Sequence, residues 1–232
     1  FGIRFVYNIH DNFFQRYNFG RIVSGSLKYL ESLFILISNK TLVPESFRRS
    51  CYPRMLQAKI SVLRNYPDFD VSTVHAPFVN KTVSLFYGGW ISPNRSIGLF
   101  FELADAIISM GYCVKFTICG WGDNNYLGWL AEEAGRKGIA FKYLGQLSQQ
   151  DTVSHLKLAD ASIAYYSPDK LINIFAASNK IPEIIGSSTI LITNSQTEIA
   201  KKIKPLNISL QFDTSVYEVV DELVTLIEDK AL

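Results

Sequence analysis

The sequence predicts an α/β protein built on a parallel, doubly wound sheet, with a smaller α/β unit ahead of it. Three observations carry this. From residue 83 on, short apolar runs alternate with amphipathic stretches, and parallel strands require just such crossover helices. Several of the runs empty into glycines or polar residues, as buried strands do at their carboxyl ends. And 232 residues, 48% hydrophobic and 19% charged, suffice for one large or two small cores.

In the front portion, Gly2 to Ile9 reads as a buried strand ending in His10-Asp11-Asn12. His10 and Asp11 are the one acid/base pair there, although His10 serves equally well to satisfy a neighbouring backbone carbonyl. Ser26 to Ser38 fits a helix with Leu27, Leu30, Leu33, Phe34 and Ile37 on a buried face. Packing against a sheet explains that face, and so does dipping into a membrane surface. Thr41 to Val43 is a short strand, Pro44-Glu45-Ser46 starts a capped helix, and Ile60 to Phe69 ends in the turn composition Asn65-Tyr66-Pro67-Asp68. We take 69–81 as a linker and divide the chain into 1–80 and 81–232.

Val83 to Trp90 is a buried strand running into Gly88 and Gly89, where missing side chains admit a ligand and Arg95 can reach back to a phosphate. A helix from Ile97 to Met110 follows. Val114 to Cys119 is the next strand, ending in Gly120-Trp121-Gly122-Asp123, then a helix from about Tyr126 to Lys137. Gly-x-Gly-Asp in the second βα unit lacks the third glycine of a nicotinamide fingerprint, so that cofactor is not expected. Phe141 to Gly145 is a strand end, Asp151 to Leu158 a helix, Ala159 to Tyr165 a strand, Thr189 to Thr193 another, and Val216 to Ile227 a terminal amphipathic helix.

The chemistry concentrates between Tyr165 and Glu183. A strand ending in two tyrosines enters a polar loop containing Asn173, and Ser178 or Asn179 can cap a helix whose first turn tolerates Pro182. Lys180 beside free helix amides suits a diphosphate, and Glu183 one turn on can accept from both hydroxyls of a ribose. An ordinary capped surface helix has the same spacing.

The net charge of +2 is unevenly placed: residues 1–80 hold 10 Lys+Arg against 5 Asp+Glu, and the remainder 13 against 16. A basic, aromatic front suits an anionic membrane or an acidic glycan, or is a solvated surface. Cys51, Cys113 and Cys119 have no metal-ligand spacing; the last two lie in apolar runs and read as reduced core thiols of a cytoplasmic protein. No apolar run of about 18 residues is present. Because Phe1 falls inside a strand-like run, a further part upstream is expected.

The order strand, Ser167-Pro168, Asn173, then Ser178-Asn179-Lys180-x-x-Glu183 resembles the donor-binding segment of the "glycosyl transferases group 1" family, retaining enzymes of the two-Rossmann-domain GT-B fold. The resemblance spans almost the whole chain. It implies one nearly complete donor domain at 81–232 and part of an acceptor-side domain at 1–80. Glu183 matches the family's ribose-binding glutamate, while the family's first glutamate falls at Phe175. Gly88, Gly89 and Arg95 match the first donor motif, with Trp90 and Ser96 as departures. Gly120 and Gly122 match a loop under the nucleotide, and the main chain of Lys142 one that reads the base. Ser188 stands where the family prefers glycine. The strand ending in His10-Asp11 resembles one that faces the acceptor.

The resemblance thus implies transfer of a hexose from a nucleotide diphosphate sugar to a polysaccharide or glycolipid. No metal or other cofactor is expected, Arg95 and Lys180 being the cations that meet the diphosphate. A glycan or lipid-linked acceptor, peripheral contact at the inner face of a membrane and no nucleic-acid partner complete the expectation. The alternative is a non-catalytic paralogue that binds nucleotide or glycan without turnover, as Phe175, Trp90 and Ser188 suggest.

Overall fold

Strands buried on both faces read as unbroken apolar runs, and the larger of two compact units is organised around such runs. The computed structural model describes residues 4–16, 20–66, 81–93 and 95–230. Its strands are β4 (Thr82–Gly88), β5 (Cys113–Cys119), β6 (Ala140–Tyr143), β7 (Ala161–Ala164), β8 (Ile190–Asn194) and β9 (Ser209–Phe212), hydrogen-bonded in the order β6-β5-β4-β7-β8-β9, all parallel. Counted from β4 this is 3-2-1-4-5-6, the doubly wound order of dinucleotide-binding sheets, whose switch point falls between β4 and β7. The crossovers carry α5 (Ile97–Ser109), α6 (Asn124–Arg136), α7 (Gln149–Leu156), α8 (Leu171–Ile174), α9 (Lys180–Gly186) and α10 (Glu198–Ile203). A 3-10 turn, Val216–Val219, leads into α11 (Val220–Lys230).

The core of this unit joins Val83, Leu85 and Tyr87 of β4, Phe116 and Ile118 of β5, and Phe100, Leu103 and Ile107 of α5 to Val216, Val220, Leu223 and Ile227 at the C-terminal helix. Phe100 and Phe116 stack with centroids 4.8 Å apart. Asp123 caps α6 by accepting from the amides of Asn125 and Tyr126, and Ser148 caps α7. The strand β9 is one that the sequence reading passes over. Its residues alternate half-buried and buried, the pattern of an edge strand and not of a doubly covered one.

The smaller unit holds a parallel sheet β1-β2-β3, with β1 (Val6–Asn8), β2 (Lys40–Val43) and β3 (Ile60–Val62), and helices α1 (Phe13–Arg16), α2 (Arg21–Ile37), α3 (Ser46–Arg49) and α4 (Arg54–Gln57). Ile9, Phe14, Ile35, Val43, Tyr52, Leu56 and Ile60 form its core. By contact, Tyr166–Asn179 and Gln196–Lys202 group with Phe1–Tyr66 in this unit; the other consists of Pro67–Tyr165, Lys180–Ser195 and Ile203–Leu232. Phe175 lies 6.4 Å from Phe47, and Lys202 pairs with Glu45 at 2.6 Å. The junction expected between 1–80 and 81–232 falls at residues outside those described.

Two expectations are corrected. The helix α2 turns Glu31 and Ile35 inward, with Leu27 half-buried, and leaves Leu30, Leu33, Phe34 and Ile37 exposed, so most of the predicted face is uncovered. Glu31 lies inside because its carboxylate has two donors waiting: the Phe13 amide at 2.7 Å and the Tyr52 hydroxyl at 2.7 Å. Second, Cys113 is exposed at the first position of β5, and only Cys119 of the two is a core thiol.

Candidate functional site

In open parallel sheets ligands bind outside the carboxyl ends of the strands at the switch point, here at the ends of β4 and β7. The loops after β4 and β5 are laid against each other by continued ladder bonds. Gly89 N–H donates to Cys119 O at 3.0 Å and Ile91 N–H to Trp121 O at 2.8 Å. Gly120, at φ +132°, could not carry a side chain: a Cβ would stand 1.8 Å from Gly89 O. One on Gly122 would stand 2.4 Å from Ile91 O. Gly120 and Gly122 are therefore required by the backbone of the β4 loop, where the sequence reading expected a ligand to require them. Gly88 abuts Thr152.

Gly89, at φ +133°, faces Lys180, whose Nζ would be 3.2 Å from an added Cβ. The same ammonium lies 4.1 Å from the Tyr87 ring centroid, a cation–π contact. Lys180 opens α9 directly after Asn179, and Glu183 follows within its first turn. Lys180 and Glu183 line one recess with Tyr87, Gly88, Thr152 and Ser162, at about 20 Å³ roomy enough for a single water. Gln149 Nε2 donates to Glu183 Oε1 at 3.1 Å, a partner that sequence reasoning misses.

The electrostatics follow from crowding. Burial, and then the charge of Arg95, push the Lys180 ammonium down to about 8, with Glu183 and Cys119 pulling the other way. Burial pushes the Glu183 carboxyl up, against the Gln149 amide and the Lys180 charge. Arg95 itself lies outside the recess, its guanidinium 5.1 Å from the Trp90 ring centroid. Ser96, where the family has glycine, donates from Oγ to Tyr165 O at 3.3 Å and ties the β4 loop to the end of β7.

Lys142 sits on the edge strand β6, exposed; Leu144 N–H donates inward to Ile118 O, and strand alternation turns the Lys142 amide the same way. Its main chain is thus spent on the sheet. Asn173 and Asn179 belong to the smaller unit, where Asn173 Nδ2 donates to Ser167 O at 2.9 Å and closes its own loop. Asn179 is exposed.

His10 and Asp11 follow β1 as expected, and each has other partners. The Asp11 carboxylate is held by buried Arg48 at 2.8 Å, and the same guanidinium donates to His10 O. His10 Nε2 lies 3.2 Å from the Asn8 amide nitrogen. Among the described residues no three His, Cys, Asp or Glu side chains cluster as metal ligands would, and no helix is long and apolar enough to cross a membrane.

No protein-family model matches the chain, and no curated protein is similar to it in sequence at a significant level. Its fold is shared by solved structures. Anabaena Alr3699/HepE in complex with UDP superimposes with a TM-score of 0.67 at 12% identity, covering 98% of this chain and 63% of that one. TarM gives 0.63 at 13% identity, with 97% and 44% covered. The pneumococcal O-GlcNAc transferase GtfA, in complex with UDP and GlcNAc, gives 0.59 at 14%, with 98% and 45%. The chain thus spans about half the length of these proteins. Its architecture is the GT-B glycosyltransferase fold.

Proposed function

We propose that the larger unit binds the nucleotide diphosphate sugar of a glycosyltransferase, and that the whole protein moves a hexose, with retention, onto a polysaccharide or glycolipid. The observation that carries this is Lys180 and Glu183 lining one recess beside Gly89 at the switch point of a 3-2-1-4-5-6 sheet. A depressed ammonium under the repulsion of Arg95 is relieved by an arriving diphosphate, and Glu183, steadied by Gln149, is placed to accept ribose hydroxyls. Binding of UDP by HepE and GtfA supports the ligand class. The exposed apolar face of α2 and the basic surplus of 1–80 support peripheral contact with a cytoplasmic membrane face.

Titration of the chain with UDP-, GDP- and ADP-sugars tests the reading, and we expect one base to bind; failure of all three overturns it. In Glu183→Gln the loss of charge and of one acceptor should weaken the ribonucleotide by about 1–2 kcal/mol and its 2′-deoxy analogue less. An unchanged ratio between the two removes the ribose assignment. The second reading, a paralogue without turnover, is favoured by Phe175, which packs toward Phe47 where the family has a carboxylate, and by Asp11, already committed to Arg48. Binding of donor without transfer or hydrolysis by the whole protein would establish it.

A further inference from the structure

The largest cavity described in the larger unit is not the recess under Lys180. It opens between α5 and α6, measures about 570 Å³, and shares no lining residue with that recess. This volume lies in the range of about 300–1,000 Å³ typical of small-molecule sites. One wall is aromatic: Trp129 and Tyr126 stack at 5.5 Å with planes 10° apart, and Phe101 braces the indole from 6.4 Å. Trp129 is 48% exposed, and its indole stands at the cavity while Leu130 and Ala134 of the same helix are buried in the core. Opposite charges complete the lining, the guanidinium of Arg95 and the carboxylate of Glu102.

We propose that this cavity is a carbohydrate site for a neutral oligosaccharide, separate from the nucleotide site. A flat, exposed ring pair accepts the C–H face of a pyranose, which is apolar on that side, while hydroxyls at its edge need both donors and acceptors. Arg95 supplies donors only and Glu102 acceptors only, so between them they serve a hydroxyl in either role. The two charges offset each other, so a phosphate, uronate or amine gains at one and loses at the other, and a neutral sugar is the class that both serve. Such a site would hold a glycan against the protein independently of donor binding, and it stands whether or not the chain belongs to an enzyme.

The test uses the 232-residue chain on an array of neutral and acidic oligosaccharides, followed by solution titration of whatever binds. We expect neutral members to bind. Trp129→Ala should weaken them roughly tenfold or more and Glu102→Gln about threefold, with affinity for nucleoside diphosphates unchanged in both. Circular dichroism checks the fold of each variant, and Glu102→Gln decides alone if Trp129→Ala does not fold. No bound neutral glycan, binding confined to acidic ones, or neutral binding that both variants leave intact overturns the proposal.

Discussion

The loops that leave β1 and β4 hold their shape by opposite means. After β1, side chains do the holding: Arg48 grips His10 O and the Asp11 carboxylate, and Glu31 grips the Phe13 amide while taking the Tyr52 hydroxyl. After β4, the backbone does it, through ladder bonds to the β5 loop that are feasible because Gly120 brings no Cβ against the Gly89 carbonyl. The difference teaches which loop spends its charges on its own shape. The loop after β1 does, whereas the one after β4 is held by backbone alone, with Lys180 facing its Gly89.

The most severe way to break the comparison is at Gly120. A Cβ at 1.8 Å from Gly89 O cannot be accommodated by rotating a side chain, since the obstacle is backbone. Gly120→Ala should therefore cost more than about 4 kcal/mol of stability, the tail reserved for strain that has no local escape. Chemical denaturation checks this. A loss under 1 kcal/mol would show that the two loops are not rigidly laid together.

Arg48→Met is the counterpart in the smaller unit. Removing a buried guanidinium strands the His10 carbonyl, but Asp11 is 53% exposed and can be rehydrated, so a loss of about 2–3 kcal/mol is expected, below that for a fully buried pair. Because only the charge-held loop is touched, nucleoside diphosphate affinity should stay as it was. A parallel loss of affinity would contradict the division of labour.

Much of this was legible in the sequence, and the reasons differ by element. The strands β4, β7 and β8 announce themselves because burial on both faces favours apolar runs, and β5 through the alternation of exposed Lys115 with buried Val114 and Phe116. The edge strand β9 carries only alternation over Ser209–Phe212 and was passed over. Periodicity showed that α2 is a helix but not which side is covered; burial of Glu31 depends on Tyr52, 21 residues away. Likewise the glycines were visible as glycines, yet that Gly120 needs Gly89 rather than a ligand is a tertiary fact. That Lys180 and Glu183 share the first turn of a helix was legible through spacing, whereas the contact of Gln149, 34 residues away, with Glu183 was not.

Lys180 sharpens the comparison through pH. Its folded-state value of about 8 lies below the ordinary 10.5, so the unfolded chain binds more protons between those values. Stability of the unliganded chain should accordingly rise with pH across roughly 8 to 10.5, while affinity for a diphosphate should fall, since the apo lysine is neutral there and must take up a proton to bind. Lys180→Met should flatten both profiles and, near neutral pH, weaken diphosphate binding by about 2 kcal/mol while leaving the chain no less stable. Calorimetry in buffers of differing ionisation enthalpy reads the proton uptake directly. Absence of uptake above pH 8 would remove Lys180 from the diphosphate.

The smallest effect concerns Ser188, just past α9. It adopts φ +57°, a left-handed conformation that costs a residue with a Cβ but not glycine, and the resembled family prefers glycine there. Ser188 lies at the amino end of β8, away from the ligand side, and there Ser188→Gly relieves a strain the chain now carries. Glycine also gives the unfolded chain more freedom to lose, which offsets part of that gain. The net expectation is a stabilisation of about 0.5 kcal/mol, seen as a small rise in melting temperature with unchanged diphosphate affinity. A fall in stability would mean that the serine's own contacts outweigh its strain, and that this turn, like the one after β1, is held by a side chain.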